Sequence, residues 1–347
     1  MFVYIGLLIN ICLFSFCCSF SKNKYLTMDF RLLVFIFLFL PAALRYGIGT
    51  DYFNYISIYN EVNRNVKTNQ EYVWILINKF IIENNLGIQA IFVISSFLSY
   101  FFVFILDKKS LWLIVPTYFI FYYTFSYNCI RNAISIGFVI CCLNLLINKR
   151  VRTSFIYLLI ACTFHSSAFI YVPIYFLIFL FPTNKKMIFF FGIIIYFLFS
   201  YIDFLKIFFN SSLFLKSKYS VYYSVEHNLQ VKQNSGIGIL LRNFFLFLVY
   251  GLCKQDKEKN IEFRIISIMF LCLLVANQFV VKIYIFHRLL SCLYIGYLFI
   301  LNYLIKQKDN FVINSIKIFC CLYFFIFEFI FPLLRNDNGI LPYTAIF

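Results

Sequence analysis

Long apolar stretches alternate with short polar clusters along the whole chain. Runs suited to crossing a bilayer lie at 2–20, 30–44, 86–106, 111–127, 131–148, 187–205, 237–252, 264–281, 288–305 and 312–334, set against the roughly 20 apolar residues a spanning helix needs. The stretch 153–181 is too long for one crossing and short for two, and "TFHSSAF" places a histidine and two serines in its middle. The placement of Lys and Arg separates the two readings. With a turn around His165, the compact basic clusters "SKNKYLTMDFR", "DKK", "NKRVR", "TNKK", "KQDKEKNIEFR" and "KQK" all fall on one side, the cytoplasmic one. One continuous helix would send the later clusters outward. The pattern therefore predicts an all-α polytopic membrane protein with eleven or twelve transmembrane helices, some short or re-entrant, and both termini outside.

On that reading residues 1–347 form a single transmembrane domain, with extracytoplasmic loops at about 45–85 and 206–236. Within the first loop, "EYVWILINKFIIENN" spaces Val73, Ile77, Phe80 and Ile81 as one face of a helix, which predicts a helix lying along the interface. Arg45, Asp51, Arg131, His165 and Arg288 then share the extracytoplasmic face. The first run carries no basic n-region and no small-residue cleavage site, so it is expected to be a retained helix.

Composition sharpens this picture. The chain is 63% hydrophobic and 13% charged, far from the roughly 45–50% and about 25% of soluble domains. Its formal charge of +16 sits in the clusters between spans, as a topology signal and not as a nucleic-acid surface. The twelve cysteines include no C-x-x-C pair, and most lie inside apolar runs as small hydrophobes.

Four polar stretches stand out. In "RYGIGTDYFNY", Gly47 and Gly49 permit a sharp turn beside Arg45 and offer free amides to a phosphate; a snorkelling arginine and two turn glycines are the plainer alternative. Tyr52 and Tyr55 either stack on a sugar or lie against the interface. Arg131 opens an uncharged run, where a helix start already favours anions, although an interfacial anchor has the same appearance. His165 is either a proton acceptor, a phosphate ligand or a satisfied polar turn. Arg288 stands beside His287 at the outer end of another run, and Arg suits phosphate better because its planar fork binds two oxygens. Arg242 and Lys317 are the basic residues near or within spans. The terminal "NDNGILPYTAIF" is placed to fold back over the same face. The chain has no P-loop, no H-E-x-x-H, no G-x-S-x-G and no Asp-x-Asp pair, so neither metal nor nucleotide cofactor is expected.

The order of these motifs resembles one family. R-x-x-x-G-T-D-Y-x-x-Y after the second run, R-x-x-I opening a middle run, A-x-x-F-H-x-S-A-x-x-x-x-P-I and a terminal P-Y look like the EpsG family of bacterial polysaccharide-biosynthesis proteins, themselves similar to Wzy-type O-antigen, capsule and exopolysaccharide polymerases. The resemblance implies a metal-independent, inverting glycosyltransferase of the C-type superfamily in the bacterial inner membrane. It would move a growing glycan from undecaprenyl diphosphate to the terminal sugar of a new lipid-linked repeat unit. The implied roles are Asp51 and His165 as catalytic groups, Arg45, Arg131 and Arg288 as ligands of the lipid diphosphate, and Gly47 and Gly49 as loop-shaping residues. Implied partners are the undecaprenyl-diphosphate-linked oligosaccharide, the surrounding lipid, a chain-length regulator and a flippase of the same pathway. A flippase of such lipids and a membrane O-acyltransferase remain the alternatives.

Overall fold

The computed structural model describes residues 1–66, 68, 70–182, 184–201, 237–255, 260–282 and 291–346. The expected loop at 206–236, His287 and Arg288 lie outside the described residues. Among the described residues the chain is built of helices, five of them long and apolar enough to span a membrane, with shorter apolar helices beside them. Two compact units form, residues 1–173 with 321–347, and residues 174–320.

In the first unit α1 (Phe2–Phe20) and α2 (Lys24–Ala43) pair and pack on α5 (Gln89–Tyr100) and α7 (Lys108–Tyr118). The run expected at 30–44 is longer than predicted, because α2 continues back through "KYLTMDF" and has the full 20 residues of a spanning helix. Two short helices, α3 (Tyr52–Asn63) and α4 (Tyr72–Glu83), pack together in the loop that follows. The run 86–106 breaks at Phe101 into α5 and a single turn, α6 (Phe102–Ile105). Pro116 lies near the end of α7, where it supplies no amide to the ladder, and a wider π-type turn at Phe119–Tyr123 follows before the short α8 (Thr124–Ser126).

The centre of the unit is α9 (Ile130–Ile147), covered on nearly all sides by α5, α6, α8 and α10 (Val151–Phe164). A side chain at Gly137 would place its Cβ 2.6 Å from the Ser99 carbonyl, so glycine is what brings α9 against α5. The predicted break in 153–181 occurs at His165, whose extended backbone ends α10 and begins a 3-10 turn at Ser166–Ile170. The C-terminal chain contributes a second π-type turn, Phe325–Ile330, whose Phe329 ring packs on Phe119 of the first.

In the second unit α14 (Asn260–Lys282) packs against α12 (Lys185–Tyr201), α13 (Ile237–Leu252) and α15 (Ile295–Ile305). Asn277 crosses between helices, donating to Asn243 Oδ1 at 2.8 Å and to the Tyr297 hydroxyl at 3.0 Å. The two basic residues expected near or within spans have local partners here. Arg242 donates to the Tyr294 hydroxyl and stacks on that ring, and Lys317 pairs with Asp309, which also meets Lys254.

Candidate functional site

The first unit gathers its polar residues around the start of α9. Cys129 leaves the helical conformation, and the exposed backbone ends there are taken by one hydroxyl: Tyr55 donates to the Asn128 carbonyl and accepts from the Ile130 amide, both at 3.0 Å. Burial pushes the Tyr55 hydroxyl up to about 12, so it keeps the proton this bridge needs. Its ring meets Trp74 edge-on, which docks α4 beside α3. Tyr52 stacks on Phe92 with centroids 4.6 Å apart. Neither tyrosine is at a sugar or at the interface; both are buried, because a hydroxyl-bearing ring suits a tight site rich in backbone ends.

Asn128 joins three distant segments. Its Oδ1 accepts from the Thr50 amide at 2.8 Å, and its Nδ2 donates to the carbonyl and the side chain of Asn338. Gly49, at φ +96, lies so close that a Cβ there would come within 2.7 Å of Asn128 Oδ1 and 3.0 Å of the Tyr127 carbonyl. Gly49 therefore serves a close approach to the chain before α9.

The amides anticipated as a cradle turn to the chain in the same way. Gly49 N–H goes to the Gly339 carbonyl, Tyr46 N–H to Thr344, Thr50 N–H to Asn128 and Tyr52 N–H back to Gly49. The terminal segment folds over the loop, as the sequence suggested. Arg45 and Ala345 form an isolated bridge, Ile346 donates to Leu44, and Tyr343 donates to the Pro41 carbonyl. Tyr4 at the start of α1 donates to the Ile340 carbonyl, so the start of α1 lies at this same end.

Arg45 lies buried behind the loop. It is 2% exposed, with its guanidinium carbon 4.9 Å from the Phe92 ring centre and 4.6 Å from that of Tyr127. Burial pulls its pKa below the ordinary value, opposed by the tyrosines around it, Tyr127 foremost. It borders a small cavity with Ser95, Ser96, Ser99, Tyr100 and Ser126. The free volume, about 10 Å³ counted by centres of a water-sized sphere, is close to the ≈10–15 Å³ one water needs. A space of that size holds one small molecule beside the guanidinium.

Arg131 stands one residue into α9 with a half-covered side chain. It pairs with Glu71, the residue that precedes α4. Its Nε is buried and finds no partner among the described residues. Asn132, next along, faces the polar island: the Ser167 hydroxyl lies 3.4 Å from Asn132 Oδ1 and 2.7 Å from His165 Nδ1. The Ser167 amide donates to the same Nδ1 at 3.2 Å. With Nδ1 accepting, a neutral ring carries its proton on Nε2. Asp51 directly precedes α3, partly exposed, and starts the helix that carries Tyr52 and Tyr55.

The structure thus brings Arg45, Asp51, Arg131 and His165 to one end of α9, with Arg45 inside and the others half-covered. The sequence reading missed Glu71, Asn128, Asn132 and Asn338. Glu71 lies outside the face that the spacing of α4 picks out; the buried face is Trp74, Asn78 and Ile81, and Phe80 is 53% exposed. The asparagines carry no charge, and nothing local marks their partners.

Neither a curated protein nor a solved structure gives a significant match. The EpsG family model matches residues 29–345, nearly the whole chain, including Arg45, Asp51, Arg131 and His165. This chain belongs to the EpsG family, a family of Wzy-type polymerase-like membrane proteins.

Proposed function

We propose that this protein polymerises lipid-linked polysaccharide repeat units, and that the half-covered end of α9 is where it does so. The observation that carries the reading is Arg131: it sits where a helix start favours anions, pairs through one nitrogen with Glu71, and keeps Nε buried without a partner. A phosphate oxygen supplies that partner, and Arg forks bind phosphate at two points.

In this mechanism the growing glycan arrives on undecaprenyl diphosphate, and the terminal sugar of a new lipid-linked unit presents the attacking hydroxyl. Asp51 takes the hydroxyl proton. The oxygen then bonds to the anomeric carbon from the face opposite the diphosphate, the carbon–oxygen bond to the diphosphate breaks, and the bonding pair leaves with the lipid diphosphate. Configuration inverts. Arg131 meets the charge that develops on the leaving group, and His165 donates from Nε2 to the same group. The Ser167 contacts at Nδ1 favour that donor role for His165 over the role of base. Arg45 supports the loop from behind, and Arg288 is retained as a further diphosphate ligand.

The remaining parts of the reading follow from the basic clusters and the family. The site faces the extracytoplasmic side of a bacterial inner membrane, across eleven or twelve helices. A flippase delivers the substrate and a chain-length regulator acts beside the polymerase. The test is the glycan length profile of a deletion strain complemented with wild type, Arg131→Ala, Asp51→Asn or Glu71→Gln at equal membrane levels. Single repeat units in place of a ladder are expected for the deletion, Arg131→Ala and Asp51→Asn. A normal ladder in the deletion strain ends the proposal, and repeat units held on the cytoplasmic leaflet identify a flippase instead.

A further inference from the structure

The cavity at Arg45 holds a buried cation and no anionic group among its lining residues. Arg45 makes no ion pair among the described residues, no carboxylate borders the cavity, and Nε has no hydrogen-bond partner there. Stacking on Phe92 and Tyr127 is favourable, but a ring face supplies no counter-charge. An unpaired buried ion costs several kcal/mol even after relaxation.

The hydroxyls around it divide into two sets. Ser95 donates to the Phe92 carbonyl at 3.2 Å. Ser126 donates to the Tyr123 carbonyl at 2.6 Å, which leaves the Tyr100 hydroxyl as donor to Ser126 Oγ at 2.9 Å. Those protons are spent. Ser96 and Ser99, 7% and 3% exposed, border the cavity with no hydrogen bond among the described residues. The uncommitted groups facing one water-sized space are therefore the guanidinium and two hydroxyl donors.

A water there can place its protons on the serine oxygens but adds no charge to offset the guanidinium. A monoanion accepts from every donor and neutralises the arginine. We infer that this cavity binds one small monoanion of halide size, chloride under cellular conditions. Chloride is only slightly larger than water, and the serine hydroxyls turn about χ1 to accommodate it. The anion completes the support beneath the Gly49 loop, whose neighbour Tyr127 is one of the two rings on Arg45. The inference does not depend on polysaccharide polymerisation.

The test uses the full-length protein in detergent, in gluconate buffer of fixed ionic strength. Gluconate is replaced stepwise by chloride, bromide or sulfate, and the thermal midpoint is followed by the fluorescence of Trp74 and Trp112. A saturable rise with chloride and bromide, absent with sulfate, is expected. Ser99→Ala should raise the half-saturating halide concentration at least threefold, and Arg45→Gln should flatten the response. If Arg45→Gln does not fold, Ser96→Ala and Ser99→Ala carry the comparison. Anomalous scattering from bromide should place the ion within hydrogen-bond reach of the Arg45 guanidinium. A midpoint indifferent to halide, or raised equally by sulfate, overturns the inference in favour of a water. A rise with inorganic pyrophosphate that competes with chloride and needs Arg45 overturns it in favour of an arm of the lipid-diphosphate site.

Discussion

Gly47 and Gly49 lie two residues apart in one loop, and the structure assigns them unequal costs on substitution. Gly47 has φ +63, and a Cβ there would meet nothing within 4 Å. Gly47→Ala therefore loses only the backbone term, about 1–2 kcal/mol for holding an L-residue in the left-handed region. Gly49, at φ +96, carries a similar strain, and its Cβ would also fall 2.7 Å from Asn128 Oδ1 and 3.0 Å from a backbone carbonyl. Backbone cannot move cheaply, so Asn128 must, giving up the Thr50 and Asn338 hydrogen bonds. At about 0.5–1.5 kcal/mol for each of the three bonds, one to Thr50 and two to Asn338, the total for Gly49→Ala is about 2.5–6.5 kcal/mol. The assay is thermal unfolding of both variants beside wild type in one detergent, followed by the glycan ladder of complemented cells. Gly49→Ala is expected to unfold first and to shorten the ladder, while Gly47→Ala stays near wild type in length. Equal loss in the two variants, or a harmless Gly49→Ala, would show that the clasp through Asn128 does not hold the loop.

Further expectations concern the residues at the start of α9. Tyr55→Phe leaves the Asn128 carbonyl and the Ile130 amide without their shared partner, an expected loss of about 2–6 kcal/mol for two buried groups; an unfolding midpoint equal to wild type refutes this. An unfolded tyrosine releases its proton near 10 whereas folded Tyr55 holds it to about 12, so the native state binds more protons between those values and stability falls as pH rises through them. The Phe variant should lack that part of the fall. Glu71→Gln and Arg131→Lys should each shorten the ladder, and the double variant should cost less than the sum, since the two side chains act as a pair; full additivity counts against the pairing. His165→Gln, which keeps a donor where Nε2 stands, should retain more polymer than His165→Ala, whereas equal loss would return His165 to the role of base.

What the sequence made legible was contrast. A histidine and two serines inside an apolar run announced the break at His165, and basic clusters between runs announced a membrane chain. Arg45 and Arg131 were visible as charges where few stand, but their surroundings were not. The bond from Thr50 to Asn128 spans 78 residues and that from Asn128 to Asn338 spans 210, and an uncharged amide gives no local sign of either. The face of α4 was misjudged for a related reason. Periodicity favoured Val73, Ile77, Phe80 and Ile81; Ile81 is buried, but the packing partner is the Tyr55 ring, which selects Trp74. The cavity at Arg45 arises only from how α5 and the chain before α9 close around it.

The strap across the Gly49 loop has a consequence for how the protein is made. Thr344 bonds to the Tyr46 carbonyl across 298 residues. At about 5–20 residues per second during synthesis, the loop waits roughly 15–60 s in the membrane before its cover leaves the ribosome. For that interval the nascent chain holds an inserted, unlatched form of its own site. Messages cut short before residue 336 would leave that form in the membrane, present by quantity and silent by activity.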